Sequence, residues 1–226
     1  MKTTVLLEKI PLFKGLSPEV LSILAEQLRV IKVKRADVLF RKGSEGDCLY
    51  IIQQGAVKIT LPSEAGDEMI IAIFKAGDFF GEMALLDQMP RSANAIAMNS
   101  TRLLMLNRRD FLSFLKTNDT AMEIILSSLS NRLRRTSKTL EDTVFLKVSA
   151  RFAQKLLELG DCFGRRDENE LKISLRLTQK DLGDMIGATR ESVNKEFRKL
   201  HKEGIVSLSD QTIQIHDIER LERRIK

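Results

Sequence analysis

The 226 residues are enough for one large domain or two modest ones, each with its own core. With 43% hydrophobic and 30% charged residues the composition is that of an ordinary globular chain, and the longest apolar run, Met69 to Phe74, is far too short to cross a bilayer. The formal charge of +6 admits a polyanionic partner without locating it: residues 147–226 hold 17 basic and 14 acidic side chains, a surplus of +3 that only equals the rest of the chain.

Cys48 and Cys162 lie far apart and are too few for a disulfide framework or a four-thiolate metal or iron–sulfur site. They read as free thiols of a reducing compartment, and the opening MKTTVLLEKI lacks the features of a signal peptide. A cytoplasmic protein with no membrane association is expected.

Residues 7–28 predict two short helices, the second opened by Ser17-Pro18 and striped by Val20, Leu21, Leu24 and Leu28. The period then changes. From Arg29 to about Leu106 come the β-rich runs VIKVK, VLF, CLYIIQ, AVKITL, MIIAIF and TRLLML, with glycine breaks at Gly43, Gly46, Gly55, Gly66 and Gly77. Short strands with glycine turns predict a β-sandwich or jelly roll. The segment GEMALLDQMPRSA (81–93) refuses that pattern and predicts a short helix followed by a loop. Gly81 lets backbone approach an anion, and the N–H groups of Glu82, Met83 and Ala84 would point at it. Arg91 can pair with phosphate oxygens and Ser92 can add a hydroxyl. An Arg91–Glu82 ion pair tying down an empty loop is the competing reading.

Residues 118–146 predict a long helix. Met122, Leu126, Leu129, Leu133 and Leu140 recur at a 3.5-residue seam in which Thr136 fills the missing step, so two such helices can pair as a coiled coil. Residues 149–160 predict an amphipathic helix ending at Gly160, then a polar loop CFGRRDENE and a strand LKISLRL. In LTQKDLGDMIGATRESVNKEFRKLHKEGIV (177–206), Thr178 and Asp181 form a capping box, Gly187 ends the first helix, and Thr189 caps the second. That is a helix-turn-helix. Val193, Phe197 and Leu200 give its second helix a buried face, opposite Arg190, Glu191, Asn194, Lys195 and Arg198, whose side chains suit base edges in the major groove. Thr178, Gln179 and Thr189 complete the candidate DNA contacts. The hairpin IVSLSDQTIQIH supplies a wing, and Lys199 and Lys202 are candidates for phosphate contact.

On these residues the chain resembles the cyclic-AMP receptor protein / fumarate-nitrate regulator superfamily over nearly its whole length. The resemblance implies an α+β fold: a cyclic-nucleotide-binding β-roll over 1–117, a dimerisation helix over 118–146, and a winged helix-turn-helix over 147–226. GEMALLDQMPRSA resembles the phosphate-binding cassette, which implies that Glu82 accepts from a ribose hydroxyl. The alignment puts Thr136-Ser137 at the pair that meets adenine and Arg132 beside the cassette glutamate. Arg190-Glu191-Ser192-Val193 resembles the element that reads a TGTGA-type half-site, with Lys195 at a third base-reading position. The resemblance implies cyclic AMP as allosteric ligand, a homodimer, double-stranded DNA and RNA polymerase as partners, and no catalysis. A cyclic di-nucleotide or no ligand stays open as the alternative. No iron–sulfur cluster or haem is expected, since an N-terminal cysteine cluster is lacking and His201 and His216 lie in the DNA-binding half. Lys147 departs from the family, which commonly has aspartate at this hinge.

Overall fold

The computed structural model describes residues 7–8, 10–167, 170–209 and 212–225. They divide into two compact units: one runs to Asp67 and resumes over Ile71–Arg134, and the other holds Glu68–Ile70 with Arg135 onward. The turn of the wing, Asp210-Gln211, and Glu168-Asn169 of the polar loop lie outside the described residues.

The first unit opens with a 3₁₀ turn, Pro11–Phe13, and helix α1, Pro18–Gln27, whose Ser17 cap accepts from the Val20 N–H. Two four-stranded antiparallel sheets follow. One has the order β1 (Arg29–Val33), β8 (Thr101–Asn107), β3 (Cys48–Gln54), β6 (Phe79–Phe80); the other has β2 (Val38–Phe40), β7 (Asn94–Ala97), β4 (Ala56–Pro62), β5 (Glu68–Lys75). Side chains alternate faces along a strand, and β3 uses both. Its Tyr50 and Ile52 join Val57, Ile59, Ala95 and Leu103 in the core of the roll. Leu49 and Ile51 point the other way, onto Leu21, Leu24, Phe111, Phe114 and Ile125. That second layer explains why the run CLYII is buried without alternation. The short strands β6 and β7 and the helices α2 (Glu82–Asp87) and α3 (Arg108–Lys116) complete the unit. Helix α3 is absent from the expectations above, although Asn107 caps it by accepting from the Asp110 N–H.

Helix α4 (Asp119–Phe145) is continuous for 27 residues. Three leucines of its seam are exposed in the chain: Leu126, Leu133 and Leu140 keep 56%, 69% and 67% of their surface, whereas Leu129 is half-buried against the core of the first unit.

The second unit has α5 (Val148–Phe163), α6 (Gln179–Ile186), α7 (Arg190–Lys202), α8 (Ile218–Glu222) and a sheet of order β11 (Val206–Ser209), β12 (Thr212–Ile215), β10 (Glu170–Ile173), β9 (Gly164–Asp167). Three boundaries differ from those expected. Helix α5 runs through Gly160 to Phe163, because the face of Gly160 is packed: a Cβ there would meet Leu171 Cδ2 at 2.2 Å. Part of the polar loop, Gly164–Asp167, is strand β9, paired with β10. Strand β10 stops at Ile173 rather than running to Leu177.

Lys147 is the N-cap of α5 and makes no side-chain capping bond, and no acidic residue occupies the first turn. An aspartate there would accept from the free N–H groups and suit the positive helix end. Lys147→Asp is expected to raise the stability of the second unit by about 1 kcal/mol. Chemical denaturation of the two proteins checks it, and an unchanged or lower midpoint contradicts it.

Candidate ligand cassette and nucleic-acid interface

The cassette is built where β6 gives way to α2. Gly81 sits at the N-cap of α2 with φ +86°, a left-handed conformation that favours glycine, and leaves the N-terminus without a side-chain cap. A Cβ on Gly81 would lie 2.6 Å from Arg91 Nη1. Gly46, which the sequence marks only as a turn residue, is equally constrained: its Cβ would meet Ala84 Cβ at 2.4 Å and Arg91 Nε at 3.0 Å. Absence of side chains at both positions leaves room against the arginine.

Arg91 is 4% exposed. Its Nη1 donates to Gly81 O and its Nη2 to Cys48 O, both at 2.7 Å, and the guanidinium lies 4.3 Å from the centroid of the Phe40 ring. Glu82 is 1% exposed, and Arg132 Nη1 donates to its Oε1 at 2.5 Å. Arg132 also donates through Nη2 to Phe79 O at 2.5 Å and stacks over Phe74 and Phe79. Glu82 is therefore paired with Arg132, and an Arg91–Glu82 pair is not among the ion pairs of the described residues.

Two polar atoms of this cluster, Glu82 Oε2 and Arg91 Nε, are buried without a hydrogen-bond partner among the described residues. Buried polar groups are rarely left so, because the lost hydration costs about 1–3 kcal/mol each. One is an acceptor and the other a donor. A ligand that carries both a hydroxyl and an anionic oxygen would satisfy the pair. Met83 and Ser92 are exposed, with the Ser92 hydroxyl 3.8 Å from Met83 Sδ, and Ala84 is buried. Thr136 and Ser137 are exposed on α4, where Thr136 follows Arg132 by four residues and so shares its face.

In the second unit the capping box is complete: Thr178 Oγ1 accepts from the Asp181 N–H, and Asp181 Oδ2 accepts from the Thr178 N–H, each at 3.0 Å. Gly187 closes α6 at φ +61°. The tightness of the turn depends on a second glycine that sequence reasoning misses. A Cβ on Gly183 would lie 2.6 Å from Ala188 O, the close approach in which the Ala188 N–H donates to Gly183 O. Thr189 accepts from the Ser192 N–H at the start of α7. The hydroxyls of Thr178 and Thr189 are thus occupied as caps, while Gln179 is half-buried.

Val193, Phe197 and Leu200 of α7 are buried, and Phe197 meets the Phe152 ring of α5 at 6.3 Å. On the opposite face Arg190, Glu191, Lys195 and Arg198 are exposed and Asn194 is half-buried. Glu191 and Lys195 have the spacing of a helical ion pair, yet their pair is not among the salt bridges of the described residues. These groups keep their hydrogen-bonding capacity. Lys199 and Lys202 are exposed farther along the helix. In the wing sheet, His216 joins two strands: Nδ1 is 3.0 Å from Glu170 Oε1, and Nε2 is 2.8 Å from Ser207 Oγ. The bond to His216, followed by one from Gln214, holds the Glu170 carboxyl below the usual carboxylate range.

A β-roll whose cassette holds two buried, unpartnered polar atoms, joined to a winged helix-turn-helix, defines a ligand-responsive DNA-binding regulator. Residues 30–118 match the profile of the cyclic nucleotide-binding domain, and residues 150–224 that of the Crp-like helix-turn-helix domain. The chain is similar to the CRP-like cAMP-activated global transcriptional regulator of Mycobacterium tuberculosis, with 33% identity over 221 residues that cover 98% of this chain and 99% of the relative. Two solved structures share the fold. FixK2 of Bradyrhizobium japonicum has a TM-score of 0.79 at 18% identity, over 88% of this chain and 98% of that one. The c-di-GMP responsive global regulator CLP of Xanthomonas campestris has 0.75 at 20%, over 88% and 99%. The chain belongs to the cyclic-AMP receptor protein / fumarate-nitrate regulator (Crp/Fnr) family of transcription regulators. Among the described residues no helix is long and apolar enough to cross a membrane.

Proposed function

We propose that this regulator is a cytoplasmic homodimer whose binding to double-stranded DNA is controlled by cyclic AMP. The observation that carries the ligand is the pair of buried, unpartnered atoms in the cassette, Glu82 Oε2 and Arg91 Nε. A cyclic nucleotide offers a ribose hydroxyl to the first and a phosphate oxygen to the second. Gly81, Met83, Ala84 and Ser92 would add backbone and hydroxyl contacts, and Arg132, which donates to Glu82 Oε1, would orient that carboxyl. Thr136 and Ser137 would meet the base, and the similarity to the mycobacterial cAMP-activated regulator supports adenine.

Dimerisation is assigned to helix 118–146. Its exposed leucines are spaced for a two-stranded seam, and an isolated chain would leave that apolar surface in water. The partition into 1–117, 118–146 and 147–226 follows from those roles. Each recognition helix, α7, would enter the major groove of a TGTGA-like half-site, with Arg190, Glu191 and Lys195 on base edges and Asn194 and Arg198 beside them. Thr178, Gln179 and Thr189 stand at the helix starts, where phosphates are met. RNA polymerase is the expected protein partner of the bound dimer.

The experiment is calorimetric titration of the purified protein with cyclic AMP and, in parallel, with cyclic di-GMP. Saturable heat with cyclic AMP alone is the expected result. Heat with cyclic di-GMP alone would transfer the site to a di-nucleotide, the effector class to which the Xanthomonas regulator responds, and no heat with either would leave the DNA-binding half without this switch.

A further inference from the structure

Arg151 lies on the first turns of α5, outside both the cassette and the reading face. Its side chain ties together three separate pieces of the second unit. Nη1 donates to Thr143 O at 3.0 Å and to Leu146 O at 3.1 Å, both carbonyls at the C-terminal end of α4. Nη2 donates to Gly187 O at 3.4 Å, the carbonyl of the glycine that closes α6 in the helix-turn-helix. The last carbonyls of a helix lack intrahelical donors and carry partial negative charge. One guanidinium therefore sits at the negative ends of two helices, where its planar fork serves carbonyls that a lysine ammonium could not serve together.

A second tie runs beside it. Gln154 Nε2 donates to Asp142 Oδ2 at 2.8 Å, and Lys138 Nζ lies 2.9 Å from Asp142 Oδ1. Asp142 is 8% exposed, so this carboxylate is held from both α4 and α5 in a setting shielded from water. The boundary between the compact units agrees with these ties: it falls between Arg134 and Arg135, so the last turns of α4 group with the DNA-binding half. The Leu146-Lys147 joint between α4 and α5 is a braced corner.

We propose that Arg151 is a positioning residue that locks the end of α4 to the helix-turn-helix, so that a change imposed on α4 near Thr136 reaches the recognition helix as a rigid rotation. Its direction of use rests on the ligand-switch reading given above. Helix α5 completes the route, since Phe152, one residue on, packs against Phe197 of α7.

The test uses the full-length protein and its Arg151→Ala and Arg151→Lys variants. Hydrogen exchange is followed without ligand or DNA at the amides of Leu146 and Ala188, which bond to Asp142 O and Gly183 O beside the clamp. Both are expected to exchange at least about tenfold faster in Arg151→Ala, with amides of the β-roll unchanged. Arg151→Lys keeps the cation and the fold but is expected to lose most of the same protection. Unchanged exchange at both sites in the two variants overturns the proposal, whatever the ligand does. A second arm measures DNA affinity with and without cyclic AMP. The ligand-dependent gain should shrink in the variants while the affinity for cyclic AMP stays within about twofold. A full gain in Arg151→Ala also overturns the proposal, whereas absence of any gain in the wild type counts against the ligand-switch reading and leaves the exchange result to decide on Arg151.

Discussion

Arg91→Ala is expected to weaken binding of cyclic AMP by about 2–5 kcal/mol, or roughly thirtyfold to several thousandfold in Kd. The size follows from burial. At 4% exposure the guanidinium meets little competing water, and truncating one partner of a desolvated charge pair leaves the other uncompensated. The side chain has a second role that the measurement must separate, because it also bridges Gly81 O and Cys48 O. Its removal therefore loosens the contact between β3 and the start of α2 as well. Arg91→Lys keeps a charge but cannot serve two carbonyls and a phosphate oxygen together, so it should bind weakly in a roll that melts close to wild type. Calorimetry beside a melting curve for each variant decides. Unchanged affinity in Arg91→Ala would place the ligand somewhere other than the cassette.

Arg190→Ala makes the opposite kind of test, on a residue the fold does not need. Arg190 is exposed on α7 and its side chain has no hydrogen bond or ion pair among the described residues, so stability should change by less than about 0.5 kcal/mol. Affinity for a TGTGA-like half-site should fall by about 1–3 kcal/mol, and discrimination at one base pair should relax. Lys195→Ala is expected to show a smaller loss of discrimination, because an ammonium makes no bidentate contact. Competition binding with single-base variants of the site reads both. Unchanged affinity and an unchanged footprint for Arg190→Ala would move the reading face elsewhere.

The helix-turn-helix is legible in the sequence because its determinants are local. Thr178, Asp181, Gly187 and Thr189 act within a few residues of themselves, and Val193, Phe197 and Leu200 announce their face by period. The cassette is half legible. Gly81 and Arg91 stand in one short segment, but one of the carbonyls that hold Arg91 belongs to Cys48, and the group that holds Glu82 is an arginine 50 positions on. Local pattern gives no access to such partners, and Arg132 is named only through the resemblance to a family. The roles of Gly46 and Gly183 stay hidden for the same reason. What makes each a glycine is an atom outside its own local pattern: Ala84 Cβ and Arg91 Nε crowd Gly46, and Ala188 O, across the turn, crowds Gly183.

Gly160 is the converse case. Read locally it stops α5, yet its bare face is filled by Leu171 and the helix runs on to Phe163. Tertiary packing overrides the local stop signal there. Strand β6 is only Phe79–Phe80, too short to show a period, and α3 goes unread although Asn107 and Asp110 mark its start.

The central claim is that one ligand, held at Glu82 and Arg91, governs how the paired α7 helices meet DNA. Fluorescence anisotropy of a labelled TGTGA-type palindrome, titrated with the protein at fixed salt with and without cyclic AMP, tests it most directly. The predicted affinity is at least about tenfold higher with cyclic AMP, a coupling of roughly 1.4 kcal/mol, and that gain should vanish in Arg91→Ala. Equal affinity with and without cyclic AMP, in a protein that binds the palindrome, would contradict it.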